Sequence, residues 1–148
     1  MKVLHKGPDM IRDWPKCIHN GADMTRKRLK VYIAGPMRGL PDFNYPTFNF
    51  YAERAREAGF AVVNPAEIAA QFGTPEEING NRALLAAVVA AELHALDTCN
   101  AICLLPGWEK SVGAKRELAR ALQLGLSICV VAITTPDQIV EIMRRAEQ

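Results

Sequence analysis

No stretch of the 148 residues is long and apolar enough to span a bilayer. Residues 82–97 come nearest, and Arg82, Glu92, His94 and Asp97 interrupt them. A secretory leader is not expected either, because charges and prolines break the N-terminal stretch before an apolar segment can form. Net charge is nearly absent at +2, which gives no support to a nucleic-acid partner. The one basic cluster, Arg26-Lys27-Arg28 with Lys30, directly precedes a strand and reads as its solvated flank. Histidines are few, and His19 and His94 have no partner at ligand spacing, so both are assigned structural or exposed roles. The cysteines are Cys17, Cys99, Cys103 and Cys129. Cys99 and Cys103 have CxxxC spacing without a second pair or a nearby histidine, a weak metal signal. They are expected to be reduced thiols of a cytoplasmic protein. Internal repeats and low-complexity segments are missing too.

What remains is an ordinary composition, 49% hydrophobic and 23% charged, in a chain long enough for one well-filled domain. Residues 1–28 are punctuated by Gly7-Pro8, Trp14-Pro15 and His19-Asn20-Gly21 and read as a loosely attached arm. From residue 29 to 148 the pattern is regular. Apolar strands are expected at Val31–Ala34, Phe60–Val63, Ala101–Leu105 and Ser127–Ile133, with helices at Tyr45–Ala58, 82–96, Ser111–Leu124 and Pro136–Ala146. A polar, glycine-containing connection fills Gln71–Asn81. Continuous apolar strands alternating with helices predict a parallel sheet covered on both faces. In such sheets ligands bind beyond the carboxyl ends of the strands.

Two turns fall at that edge. The first is Gly35-Pro36-Met37-Arg38-Gly39, after a strand that carries Tyr32. Its Arg38 is a forked donor suited to phosphate. The second leads from Leu104-Leu105 through Pro106-Gly107-Trp108 to a helix starting near Ser111, with Gly113 and Ala114 behind it. Backbone N–H groups at a helix start favour an anion, and Ser111 adds a hydroxyl beyond its ordinary use as a cap. Glu117 lies two turns into the same helix. On spacing alone it is as much a surface residue partnered with Arg120 or Gln123 as a chemical one. Glu92 is a carboxylate set among alanines, where a charge is unexpected unless that face is open or paired. Asp97 reads as solvated or capping a turn. Trp108 is expected in an exposed turn, either covering an apolar edge or forming a wall against a flat ring, and Asn64 closes the strand before Pro65 at the same edge.

Tyr-x-Ala-Gly-Pro-Met-x-Gly, followed downstream by Pro-Gly-Trp and Ser-x-Gly-Ala-x-x-Glu, resembles the nucleoside 2-deoxyribosyltransferase superfamily, in a branch associated with phages and bacteria. The likeness covers most of residues 30–133. It implies a flavodoxin-like, Rossmann-like three-layer fold with a parallel sheet of four to five strands. It implies Glu117 as nucleophile on the sugar C1′ and Tyr32 as the group that orients it. Ser111 stands where the transferases carry an aspartate, a pattern similar to the 2′-deoxynucleoside 5′-phosphate N-hydrolases. A hydroxyl donates to a phosphate that an aspartate would repel. Gly35, Met37, Arg38, Gly39, Ser111 and Gly113 are then expected at the phosphate, and Trp108 and Asn64 beside the base. Glu92, one methylene longer than the family's aspartate, takes the place of the acid, and Asn100 follows Cys99 where relatives often have aspartate.

The resemblance implies hydrolysis of the N-glycosidic bond of a (deoxy)nucleoside 5′-monophosphate without metal or cofactor, in a homodimer or larger homo-oligomer. Deoxyribosyl transfer between bases, or nucleotide binding without turnover, are the alternatives.

Overall fold

The computed structural model describes residues 29–131. The expected arm, the end of the last strand and the closing helix Pro136–Ala146 lie outside the described residues. The described chain runs β1 (Lys30–Ala34), α1 (Tyr45–Glu57), β2 (Ala61–Val63), α2 (Pro65–Ala70), α3 (Pro75–Asn79), α4 (Arg82–Leu96), β3 (Ala101–Leu104), α5 (Val112–Leu124) and β4 (Ser127–Val130). The four strands form one parallel sheet in the order β2-β1-β3-β4. This is an α/β, flavodoxin-like arrangement.

Strand alternation divides the core. Val31, Ile33, Ala101 and Cys103 face Phe48, Ala52 and Ala55 of α1, while Tyr32, Ala34, Ile102 and Leu104 face Leu96 of α4 and Ala114, Leu118 and Ala121 of α5. Both faces are apolar because both are covered, which is why the strands read as unbroken runs.

The chain leaves β1 in one direction to reach β2, and β3 lies on the other side of β1. The carboxyl ends of β1 and β3 therefore border the crevice where such sheets bind ligands. Register keeps these ends level, with Ala34 opposite Leu104, and the Leu105 N–H donates to the Ala34 carbonyl at 2.8 Å. Gly35 permits this approach: a Cβ there would lie 2.8 Å from Leu105 Cβ. Gly107 holds φ +88°, and a side chain on it would press on Pro36. The two turns are fitted to each other.

The polar connection expected at 71–81 contains a short helix, α3. Thr74 Oγ1 accepts from the Glu77 N–H and Glu77 Oε1 accepts from the Thr74 N–H, each at 3.1 Å. This reciprocal cap starts α3 directly after a glycine. Asn81 then caps α4, its Oδ1 accepting from the Leu84 N–H at 3.0 Å. Caps rather than hydrophobic periodicity make these helices.

Between β1 and α1, Asp42, Phe43 and Asn44 take left-handed conformations, with φ of 52°, 53° and 59°. Consecutive left-handed residues other than glycine cost on the order of 1–2 kcal/mol each. Burial of Phe43 and the 2.8 Å bond donated by Asn44 Nδ2 to the Pro36 carbonyl hold the turn.

Cys99 and Cys103 are free thiols. Cys129 is disulfide-bonded, a correction to the expectation of reduced cysteines throughout. No helix among the described residues is long and apolar enough to cross a membrane.

Candidate active site

A cavity of about 290 Å³ opens at the carboxyl edge of the sheet, where the β1 turn, α4 and the start of α5 meet. Gly35, Met37, Arg38, Glu92, Ser111, Gly113 and Glu117 line it, which brings together seven of the residues singled out from the sequence. Lys110 and Arg116 line it as well, and neither had been singled out. Their signal was positional: they flank Ser111 and Glu117 on a helix already assigned to this edge.

Glu117 is the one carboxylate among the described residues that is almost wholly buried, at 7% exposure. Its partner is the Tyr32 hydroxyl, which donates to Glu117 Oε2. Tyr32 lies on the β1 face turned toward α5 and is fully buried behind the cavity wall. The phenol stays protonated, since burial first and the neighbouring Glu117 charge second push its pKa well above 10. Tyr32 is thus a fixed donor. Burial, followed by the charge of Glu92, holds Glu117 well above the usual carboxylate range, and the Tyr32 hydrogen bond and Arg116 pull it back toward ionisation. Burial also raises Glu92 to about 7, opposed by Arg116. Two electrostatically coupled carboxyls therefore share one wall, and each titrates according to the proton on the other.

Ser111 is the N-cap of α5, its Oγ accepting from the Ala114 N–H at 3.1 Å. With Arg38, Lys110 and Arg116 it makes the polar side of the cavity rich in donors. A phosphate is the anion such a donor set suits.

Other expectations are redistributed. Trp108 is not in an exposed turn. It is 1% exposed, packed among Ala114, Leu118 and Leu104 beneath the helix start, and does not line the cavity. The short helical turn Trp108–Lys110 folds the indole inward, where its apolar area is worth more than at the rim. Asn64 is also withdrawn from the cavity. It caps α2 by accepting from the Ala66 N–H at 3.0 Å and donates to Asn49 Oδ1 at 2.9 Å. Gly39 is exposed at the outer end of its turn and does not line the cavity.

Arg120 pairs with Asp97 through two 2.8 Å bonds, so it does not partner Glu117, and Asp97 is not merely solvated. Asn100 accepts from the Lys30 N–H at 2.9 Å at the amino end of the sheet, opposite the cavity.

Fold and site together define an open α/β protein with paired carboxyls and an anion-ready helix start at the sheet's switch point. Residues 29–130 match the model of the Domain of unknown function (DUF4406), and the chain belongs to that family. No curated protein matches the chain.

Proposed function

We propose that this protein is an N-glycosidase acting on a nucleoside or deoxynucleoside 5′-monophosphate, as its resemblance to the nucleoside 2-deoxyribosyltransferase superfamily implies. The observation that carries this reading is the buried Tyr32–Glu117 contact at the wall of a cavity that also holds Glu92. A carboxylate fixed by a phenol is a positioned nucleophile, and a second carboxyl raised to about 7 is a proton donor near neutrality.

In the first step a Glu117 oxygen bonds to C1′, the C1′–N bond breaks, and its electron pair leaves on the base. Glu92 supplies the proton that the base takes up. Water then attacks C1′, Glu92 takes a proton from it, and the C1′–O bond to Glu117 breaks to restore the carboxylate. The sum is nucleotide and water giving free base and sugar 5-phosphate with retained configuration. Tyr32 and Arg116 favour the ionised Glu117 that the first step needs. Arg38, Ser111 and the N–H groups at the start of α5 would hold the phosphate.

A second reading, nucleotide binding without turnover, is favoured by the burial that disfavours the ionised form of Glu117. Chromatography of reactions with ribo- and deoxyribonucleoside 5′-monophosphates, beside Glu117→Ala, separates the two. Base released by the native chain and lost in the variant supports the glycosidase. Nucleotide bound by both proteins with no base released supports the binding protein.

The same resemblance implies a homo-oligomer. Ala83, Ala86, Ala87 and Ala90 of the apolar helix α4 are exposed, a face that a second copy would cover. Sedimentation at the monomer mass across micromolar concentrations would remove this part of the proposal.

A further inference from the structure

Among the described arginines, Arg54, Arg56 and Arg120 are each tied to a carboxylate, with contacts of 2.7–2.8 Å to Glu57, Glu67 and Asp97. The side chains of the two that line the cavity, Arg38 and Arg116, make no hydrogen bond or ion pair with any described residue. Arg116 differs from Arg38 in its place. It directly precedes Glu117 on α5, and α5 packs against α4, which carries Glu92. Its charge draws both carboxyls toward ionisation, against their burial.

The other groups around Glu92 come from every neighbouring element. Tyr32 of β1 and Tyr45 at the start of α1 are neutral phenols, their pKa values raised by burial first and by the acids second. Arg38 and Lys110 line the cavity from the β1 turn and the approach to α5. Helices α2 and α3 bring it only Pro65, Ala69 and Ile78, and their Glu67, Glu76 and Glu77 lie outside it. Arg116 is thus the cation set between the two acids and the donors at the cavity mouth.

A phosphate dianion bound among Arg38, Lys110, Ser111 and Arg116 shares the Arg116 guanidinium with the carboxyls. It adds negative charge to their wall and withdraws part of what compensated them, and both effects favour a proton on the pair. The Tyr32 hydroxyl donates to Glu117 and favours its ionised form, so the proton goes to Glu92. We infer that Arg116 is a positioning residue shared between the phosphate and the carboxyl pair, and that binding a dianion loads one proton from solvent onto Glu92. The event that delivers the nucleotide then also readies the proton donor. This rests on the proposed phosphate site, but not on turnover.

The test titrates the full chain with sulfate, which keeps two charges near neutrality, so any proton exchanged belongs to the protein. Thermal melts at each pH show that every variant is folded. From about pH 7 upward, sulfate affinity should fall by up to about tenfold per pH unit, the slope of one linked proton. Glu92→Gln should flatten that slope, and the exposed His94, unchanged in it, serves as an internal control. Arg116→Gln should weaken binding and flatten the slope as well, because Glu92 without its counter-ion already holds the proton before sulfate arrives. Arg38→Gln should weaken binding and keep the slope.

Affinity independent of pH, no measurable sulfate binding, or a slope unchanged in Glu92→Gln or Arg116→Gln would overturn the inference. Base release from a monophosphate beside a flat native profile leaves the glycosidase standing and removes the coupling. A proton-linked profile with no base released from any monophosphate does the reverse.

Discussion

At the residue scale the proposed reaction depends on where one proton sits. Glu117 must be ionised and Glu92 protonated, whereas burial raises both. The Tyr32 hydroxyl is a main force favouring ionised Glu117, and its own pKa is too high for it to lose its proton in the working range. Tyr32→Phe keeps the ring in the core and removes only that donor. Its kcat should fall roughly 10- to 100-fold, in the range of one positioned hydrogen bond to a charged group. The acidic limb of the kcat/KM profile should move to higher pH, because Glu117 then holds its proton more tightly. An unchanged profile would assign Tyr32 a packing role alone.

Glu92 makes a prediction about stability. Its carboxyl goes from 4.5 in the unfolded chain to about 7 in the folded one, so the folded state holds the proton more tightly. The resulting stabilisation is complete below about pH 4.5 and is lost as pH rises through 7, on the order of 2 kcal/mol for a partly exposed group. Glu92→Gln should therefore melt above the native protein at pH 8 and gain little or nothing at pH 4.5. Equal shifts at the two pH values would show that the side chain is not buried as described. Glu92 was legible in the sequence because a charge among alanines is conspicuous. Trp108 was misread because a tryptophan in a Pro-Gly turn has no periodic neighbours to reveal which way it points.

At the element scale, periodicity located β1 to β3 and the helices α1, α4 and α5 to within a residue or two, since each buries a regular face. It failed where caps and local bonds act instead. Thr74-Pro75-Glu76-Glu77 carries the signature of a helix start, but the glycine and polar residues around it read as loop. The left-handed turn at Asp42–Asn44 has no glycine to announce it, and it brings Phe43 to the cavity. Helix α5 was read most fully, because its cap, its small residues and Glu117 all belong to one element.

Ser111 caps α5 and is proposed to hold a phosphate, and two substitutions separate these roles. Ser111→Ala removes the cap and should cost about 1 kcal/mol in thermal or denaturant unfolding. It should also weaken monophosphate binding. Ser111→Asp preserves a good cap, so its stability should stay near native, while a carboxylate placed against the phosphate should lower kcat/KM for monophosphates selectively. Equal activity of Ser111→Asp on phosphorylated and free nucleosides would remove the phosphate from this helix start.

At the scale of the whole molecule the cavity is a joint. It is lined from the β1 turn, the segment entering α1, and helices α1 to α5, so a ligand that fills it ties together elements that otherwise meet through separate apolar clusters. Anything that binds the folded chain and not the unfolded one stabilises it by mass action, by about 2.7 kcal/mol at a concentration one hundred times Kd. For a domain of this size that is a rise in melting temperature of roughly 5–10 °C. Glu117→Gln is the protein to use, because it keeps the shape of the site and does not consume the ligand. A nucleoside 5′-monophosphate should raise its melting temperature in proportion to the logarithm of concentration. The matching free nucleoside should do less, since it leaves Arg38, Lys110 and the α5 start without an anion. Adding Ser111→Asp to this protein should narrow or reverse the difference. A monophosphate that moves the melting temperature no more than inorganic phosphate at the same concentration would show that the donors bind an anion without engaging the rest of the cavity. The nucleotide assignment would then fall, while the fold and the carboxyl pair would stand.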